Sequence, residues 1–314
     1  MKKYIHIVRI KIVVSILFVL SIIQMQAQQL PQYTQYMLND FVLNPAVAGR
    51  SNYWNCVSDN RYQWVGITDA PRTYILSMHG PLEGMNMGIG ANLYTDIVGP
   101  TRRVGFQAAY SYHLKLNSTF KLNLGLSGGM LQYSIDGSKI TFNSGYDPVT
   151  PGIYKSHLTP DFGAGVYLHS EKLYLGLSVP QMFSAEIKFK DQVNTGLSRI
   201  KPHIYLLAGY RLNIGQDFIF EPSVLVKYVT PAPVKVDVGA RLSYRNKMWI
   251  GANYRTNDAV TALVGCMYNN WLSFGYSYDY TITTLQQFTT GTHELMLGVR
   301  FSKPKSSYKD DLDD

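Results

Sequence analysis

The sequence predicts an all-β protein, a closed antiparallel transmembrane β-barrel of about 14 strands, with an N-terminal helical or irregular segment closing the lumen. Three observations predict it. Apolar and polar residues alternate in short strips from about residue 50 to residue 301, an export signal precedes them, and tyrosine occurs 24 times in 314 residues. A period of two describes strands whose faces contact different environments. Tyrosine, with its apolar ring and polar tip, suits the membrane interface.

The first 27 residues have the features of an export signal. Basic side chains precede an apolar run from Ile12 to Ile23, and Met25-Gln26-Ala27 is a suitable cleavage site. The run is shorter than the ~20 residues of a spanning helix, so cleavage is favoured over a membrane anchor. Four of the 29 basic residues and none of the 21 acidic ones lie here, so the remaining chain carries a net charge of +4. This small, scattered charge argues against nucleic-acid binding.

Two strands show the alternation clearly. One face of the first carries Val104, Phe106, Ala108, Tyr110, Tyr112 and Leu114, and one face of the second carries Val234, Val236, Val238, Ala240, Leu242 and Tyr244. The apolar set faces lipid in a barrel and a core in a soluble sandwich, so alternation alone leaves both open. The connections favour the barrel, because short turns follow even-numbered strands and long loops follow odd-numbered ones. The long loops are Asn60–Pro71, Ser134–Thr159, Pro180–Pro202 and Thr281–Gly291.

The chain divides into a signal peptide (1–27), a plug or docking segment (28–50), the barrel (51–301) and a charged, disordered tail (302–314). Aromatic residues in the second part fall at helical spacings, and Asn44-Pro45 would end a helix. The residues assigned to plugging or docking are Tyr33, Gln35, Tyr36, Met37, Asn39, Asn44 and Pro45. This segment either packs against the barrel to close one end or docks another protein, and both roles are compatible.

The chemistry-bearing residues do not indicate an enzyme. The histidines outside the signal lack the hydrolase and metal-binding motifs, and Ser111 beside His113 lacks a base-orienting partner. We therefore expect no catalytic residues, no cofactor, no metal and no small-molecule substrate. Cys56 and Cys266 lie in strands that are not expected to be neighbours, so a disulfide is not expected. Glycines at 88, 90, 125, 128 and 129 lie inside strands, where they either bend the wall or admit another backbone.

Four ordered motifs carry a specific resemblance. They are Gln35-Tyr36-Met37 with Asn44-Pro45-Ala46 and Ala48-Gly49; Arg61-x-Gln63-Trp64-Val65-Gly66 with Pro71 and Thr73; Asp96-x-x-Gly99; and Gly275-Tyr276-Ser277-Tyr278-Asp279 with Gly291-x-His293-Glu294 and Arg300-Phe301. Together the sequence resembles the PorP/SprF family, outer-membrane proteins of type IX secretion and gliding motility. The motifs run in order from residue 33 to residue 301.

The resemblance implies an integral outer-membrane protein that binds instead of catalysing. Its expected partners are membrane lipid, cargo such as an adhesin with a C-terminal secretion domain, and periplasmic ring components of the machine. Arg61, Gln63, Trp64, Val65 and Gly66 are the candidate partner contacts in the first loop; Trp64 is equally suited to the interfacial belt. The candidate polar residues of the lumen are Arg103, Arg241, Arg245, Asp279, Glu294 and Arg300. The alternative function is a passive solute porin.

Overall fold

The computed structural model describes residues 30–140, 154–184, 186–187 and 198–301. The predicted signal peptide and charged tail lie outside these residues. The strands are β1 (Trp54–Tyr62), β2 (Arg72–Pro81), β3 (Met87–Val98), β4 (Thr101–Lys115), β5 (Lys121–Asp136), β6 (Tyr154–His169), β7 (Leu173–Val179), β8 (Glu186–Ile187), β9 (Ser198–Arg199), β10 (His203–Tyr210), β11 (Leu212–Ile214), β12 (Phe218–Val229), β13 (Lys235–Tyr244), β14 (Met248–Arg255), β15 (Ala259–Tyr268), β16 (Leu272–Thr281) and β17 (Thr292–Phe301).

The sheet closes on itself. Strands pair antiparallel with the next along the chain from β1 to β7 and from β12 to β17, and β10 pairs with both β7 and β12. The ring is closed by β1 and β17, which pair from Trp54↔Phe301 to Tyr62↔His293. Because β10 and β11 both pair with β12, they form one interrupted strand, and the barrel has 14 strands. The small β8–β9 hairpin lies outside this sheet. The predicted closed barrel is confirmed, and the soluble sandwich is excluded because a closed sheet has no partner sheet to cover its outer face.

The two faces of the wall follow the sequence alternation. Phe106 and Tyr110 of β4 are 51% and 41% exposed, whereas Ser111 is fully buried in the lumen. The outer surface thus carries the apolar and aromatic set, as lipid requires. One strand departs from this pattern, because β1 turns Cys56, Ser58 and Asn60 outward between apolar and aromatic side chains of β2 and β17. Cys56 and Cys266 are both free thiols.

The two ends of the barrel differ in their longest connections, although the connections 99–100, 230–234 and 256–258 at the long-loop end are also short. At the short-turn end every connection has three to five residues, and Arg245-Asn246 and Asn269-Asn270 make two of these turns with positive φ at both residues. Asparagine tolerates this backbone, which matches the twist of the flanking strands. The opposite, long-loop end carries the connections of residues 63–71, 137–153, 180–202 and 282–291. None of the helices among the described residues is long and apolar enough to span a membrane.

Residues 30–50, called the plug below, lie inside the barrel. Of the two forms predicted for this segment, helical or irregular, the structure shows the irregular one, because the plug holds only two 3₁₀ turns, Asp40–Val42 and Pro45–Val47. Asn44 caps the second turn by accepting a hydrogen bond from the Ala46 amide, with Pro45 at the first helical position. The spacing of the aromatic side chains places them against opposite walls of the lumen. An extended chain with tight turns achieves this placement as well as a helix would.

Candidate functional site

The plug runs along the lumen from one end to the other. Near the long-loop end the Leu30 amide donates to Nε2 of His203, at 3.2 Å. Near the short-turn end a Cβ added to Gly49 would lie 2.4 Å from Cα of Gly88 and 3.1 Å from Cα of Pro81. The chain then leaves the lumen and enters β1. The candidate functional site is therefore the lumen filled by the plug, together with the surfaces at the long-loop end and the short-turn end of the barrel.

An ion cluster holds the upper part of the plug, near the long-loop end. It consists of Thr34 on the plug, Arg61 on β1, Arg255 on β14, Asp279 on β16 and Glu294 on β17, and all five are at most 3% exposed. Arg61 binds Asp279 at 2.7 Å and Glu294 at 2.9 Å, and Arg255 binds Asp279 at 3.1 Å. Each buried charge thus has an opposite partner, which a low-dielectric lumen requires.

The plug is part of this cluster rather than a cover above it. The Thr34 hydroxyl donates to Asp279 at 2.9 Å and accepts from both guanidinium groups, at 2.9 Å from Arg61 and 3.1 Å from Arg255. The backbone amides of Thr34 and Gln35 donate to the Glu294 carboxylate, at 2.9 and 2.8 Å. These charge-assisted bonds tie the plug to four strands, β1, β14, β16 and β17.

The lower part of the plug, residues 43–49, is called the foot below. It is held mainly through its backbone. The Ala46 carbonyl accepts from Ser111 at 3.0 Å and from Asn123 at 3.1 Å, and the Leu43 carbonyl accepts from Ser178 at 2.6 Å. The side-chain amide of Asn44 in turn donates from Nδ2 to wall carbonyls of β6 and β7. Strands β4 to β7 therefore satisfy the polar groups of a chain that lacks regular structure.

Glycine in the wall makes room for the foot. A Cβ added to Gly125 would lie 2.2 Å from the Ala46 nitrogen, and one added to Gly88 would lie 2.1 Å from the Ala48 carbonyl oxygen. Of the two explanations open from sequence for strand glycines, close approach of a second backbone accounts for these positions. Gly128 is different, because its Cβ would meet only the Phe162 ring, at an ordinary 3.4 Å.

We expect Gly125→Ala to loosen the foot. The methyl group would overlap plug backbone, and overpacking of this kind costs about 1–3 kcal/mol. Limited proteolysis of the purified protein, with mass spectrometry of the cut sites, would show faster cleavage within residues 30–50, since cleavage follows the population of the open form. Gly128→Ala on the same strand is the control. Equal cleavage rates for the two variants would contradict the packing account.

Between the ion cluster and the foot, aromatic and ionic contacts fix the middle of the plug. Arg50 pairs with Asp40 at 2.8 Å, and the Tyr167 hydroxyl donates to Asp40 at 3.0 Å. The Tyr36 hydroxyl lies 3.0 Å from Oγ of Ser223. Phe41 packs against the ring of His79, with centroids 4.8 Å apart. The buried apolar side chains of the plug thus form one cluster with inward tyrosines and leucines of the wall.

The structure brings together only some of the predicted polar lumen residues. Asp279 and Glu294 join the ion cluster, while Arg241 pairs with Glu221 at 2.6 Å on a neighbouring part of the wall. Arg103 and Arg300 each lie over a tyrosine ring, Tyr133 and Tyr53 respectively. Arg245 lies outside the lumen, exposed in the β13–β14 turn, where its hydrogen bond to Asp217 raises its pKa.

The predicted first-loop contacts separate into two groups. Arg61 is a correction: it lies in β1, 3% exposed, and its guanidinium is held in the ion cluster, so it is not a loop residue. The other four, Gln63, Trp64, Val65 and Gly66, follow β1 in the loop and meet the last long loop. The Val65 amide donates to the Gly291 carbonyl at 2.8 Å, and the Trp64 amide donates to Thr292 at 3.0 Å.

Sequence reasoning missed several residues of the lumen. Thr34, Asp40 and Arg50 lie on the plug, and Asp237 and Arg255 lie on the inward faces of β13 and β14, 3.3 Å apart. The strand residues share a signal that can be read from the sequence: they are charged, they occupy the lumen-facing positions of the alternation, and they lie near the long-loop end of their strands. These residues are Arg61, Asp237, Arg255, Asp279 and Glu294. Threonine and the plug charges carry no such pattern.

The family assignment rests on nearly the whole barrel. Residues 25–299 match the family described as "Type IX secretion system membrane protein PorP/SprF". The chain belongs to the PorP/SprF family. The resemblance read from the four motifs is thereby confirmed, and so is the outer-membrane location. By the usual arrangement of such barrels, the short-turn end faces the periplasm and the long-loop end faces outward. No curated protein matches the chain.

Solved structures share the barrel architecture with this PorP/SprF member. A Pseudomonas aeruginosa FadL homologue is 10% identical, with 80% of this chain and 89% of that chain covered and a TM-score of 0.45. The Acinetobacter baumannii outer membrane protein Omp33 is 8% identical, with 79% and 98% covered and a TM-score of 0.47. The Pseudomonas putida toluene transporter TodX is 9% identical, with 84% and 92% covered and a TM-score of 0.47. At these scores the likeness says nothing about function.

Proposed function

We propose that this PorP/SprF protein is a binding platform in the outer membrane. Its external loops bind and hold surface proteins that carry a C-terminal secretion domain, and its periplasmic end meets ring components of the secretion machine. Neither role requires catalysis, and in the part of the chain that the structure describes no three His, Cys, Asp or Glu side chains are grouped to hold a metal ion.

The observation that carries the proposal is the filled lumen. A solute porin needs a continuous aqueous path, and about 14 strands leave room for one. Here the plug fills the lumen from Leu30 to Gly49 and supplies Thr34 and Gln35 to the ion cluster. Because the plug fills the lumen, solutes have no open path through the barrel, and the exposed surfaces at its two ends are the parts available for function. This favours protein binding over the porin alternative.

The outward end offers an apolar surface of the kind that protein partners contact. Val65 in the first long loop is 39% exposed and Phe288 in the last is 67% exposed. The two loops are joined, since the Thr290 amide donates to the Val65 carbonyl at 2.8 Å. A Cβ added to Gly66 would lie 3.2 Å from the Phe288 carbonyl oxygen. Exposed aromatic side chains on a fixed loop pair are common anchors of protein interfaces.

Deleting the gene and measuring surface and medium proteins by quantitative proteomics tests the proposal. Loss of one or a few large surface proteins would identify a dedicated adhesin partner, and failure of all type IX cargo would identify a core component. If cargo is unchanged and only small-solute uptake falls, the porin alternative is correct and the proposal is wrong.

Complementing the deletion strain with Phe288→Asp tests the external surface itself. An interface anchor contributes about 2 kcal/mol or more, so the cargo held at the surface should fall strongly while barrel abundance stays constant. Phe288→Tyr is the control, because it keeps an aromatic ring at the same position, which is 67% exposed, and adds no charge. Normal cargo levels with Phe288→Asp would place the contact elsewhere.

A further inference from the structure

A cavity of about 360 Å³ opens at the periplasmic end, on the side of the lumen that the foot does not cover. The second 3₁₀ turn of the plug contacts β4, β5 and β6, whereas this cavity, the vestibule, is formed mainly by β1 and β13–β17. Its lining includes Arg241, Trp249, Arg300, Val57, Met267 and Met296, and none of the described residues that line it is acidic. Its volume is that of a small-ligand site.

Two buried donors in the vestibule lack partners. Trp249 is 6% exposed, and its indole Nε1–H has no hydrogen-bond acceptor among the described residues. The ring is fixed against β15, because a Cβ on Gly265 would lie 2.3 Å from it. Arg241 uses one Nη to bind Glu221 at 2.6 Å, and its Nε is unpartnered. A buried donor without an acceptor is destabilising, so a ligand acceptor that reaches it through local side-chain movement would be stabilised here.

Arg300 gives the vestibule its charge. Its guanidinium lies over the Tyr53 ring at 4.8 Å, and no carboxylate of the described residues forms a salt bridge with it. Since Glu221 already neutralises Arg241, the lining as a whole is positive. Apolar side chains, among them Met267 and Met296, line the same space. The site therefore combines unused donors and one free positive charge with an aliphatic wall.

We propose that the vestibule binds an acidic peptide segment of a periplasmic partner. One carboxylate of that segment pairs with Arg300, a second acceptor of the segment accepts a hydrogen bond from Arg241 Nε or Trp249 Nε1, and a neighbouring aliphatic side chain packs on Met267 and Met296. The aliphatic wall favours a peptide over a free phosphate or lipid headgroup, which would leave it uncovered. The inference deepens the periplasmic half of the proposed function and rests on it for the identity of the partner's compartment.

The test uses the full chain purified in detergent and a fluorescein-labelled peptide, Leu-Glu-Val-Asp-Leu, amidated at its C-terminus. Fluorescence polarisation should report saturable binding of this peptide. The matched probe Leu-Gln-Val-Asn-Leu should bind about tenfold or more weakly, because bonds to charged groups are stronger by that amount. Inorganic phosphate at equal concentration should not displace the acidic peptide.

Two variants assign the binding to the vestibule. Arg300→Gln should weaken the acidic peptide about tenfold or more, and Trp249→Phe, which keeps the ring and removes the donor, should weaken it severalfold. Arg245→Gln is the control. Arg245 lies in the adjacent turn, so its substitution removes the same charge at a position outside the vestibule. Its affinity should equal that of the unaltered protein. Heat-modifiable migration on gels would show that each variant retains a folded barrel.

Several results would overturn the inference. These are no binding at millimolar peptide, equal binding of the Gln/Asn peptide, equal loss in Arg245→Gln and Arg300→Gln, or displacement by phosphate. A more than tenfold gain in affinity after removal of residues 302–314, which contain four aspartates, would assign the vestibule to the chain's own tail instead. Cargo levels in the deletion strain depend on none of these results, so failure here is distinguishable from failure of the proposed function.

Discussion

Replacing Arg255 by alanine is expected to lower the free energy of unfolding by about 3–5 kcal/mol, the cost of leaving buried charges without their partner. Arg255 is 1% exposed and lies 3.3 Å from Asp237 and 3.1 Å from Asp279. Its removal leaves Asp237 and Asp279 with one cation each, Lys227 and Arg61. It also leaves buried Asp258 without a basic partner among the described residues and removes a bond to Thr34. Denaturant unfolding of the detergent-solubilised protein, followed by tryptophan fluorescence, measures the change.

Arg245→Ala is the matched control, because Arg245 also pairs with an aspartate but does so at the exposed surface. Exposed pairs contribute little, since water and salt screen them. We expect its unfolding midpoint to stay close to that of the unaltered protein. If the two variants lost equal stability, burial of the ion cluster would not be what makes it important.

Deleting the plug, residues 30–49, is expected to convert the protein into an open channel. The intact protein should conduct weakly in planar bilayers because the plug fills the lumen, and the deletion should raise single-channel conductance by about tenfold or more, as expected for an empty barrel of this size. The deletion also exposes the ion cluster and inward aromatic residues, including Tyr167 and Tyr205, to water.

Folding of the deletion variant is checked by heat-modifiable migration and by retained strand signal in circular dichroism. Gly125→Ala, with Gly128→Ala as its partner control, offers a milder version in which the whole chain is present. We expect Gly125→Ala to show brief openings between closed and open levels. High, steady conductance of the unaltered protein would contradict the filled lumen and favour the porin alternative.

The barrel was predictable because lipid imposes one simple rule. Most outward side chains must be apolar or aromatic, so alternation in β4 and β13 marks both the strands and their faces. The plug obeys no such rule. Its residues are selected by individual partners on the wall, such as Ser111 and Asn123 for the Ala46 carbonyl, and those partners are 65 and 77 positions away. The sequence pattern therefore showed where the plug lies in the chain, but only the structure shows its path through the lumen and the positions of its turns.

The candidate site was predictable to the same uneven extent. Asp279 and Glu294 were identified by inward parity on strands, a local property. Arg61 was misplaced in the first loop because β1 extends to Tyr62, and loop and strand ends differ by only a residue or two in such readings. Arg245 and Arg241 have the same inward parity in sequence, yet the strand ends at Tyr244, so only Arg241 remains in the lumen.

The ion cluster also bears on how the molecule assembles. Arg61 belongs to the first strand and Glu294 to the last, and they face each other in the register that closes the ring. Thr34 and Gln35 lie against this pair in the finished structure, and their backbone amides donate to the Glu294 carboxylate. A segment enclosed this way must be in position before the first and last strands zip together, or be threaded afterwards through a narrow opening. The plug would then serve as an internal template for barrel closure. Its loss would slow the pairing of the first and last strands as well as open the lumen.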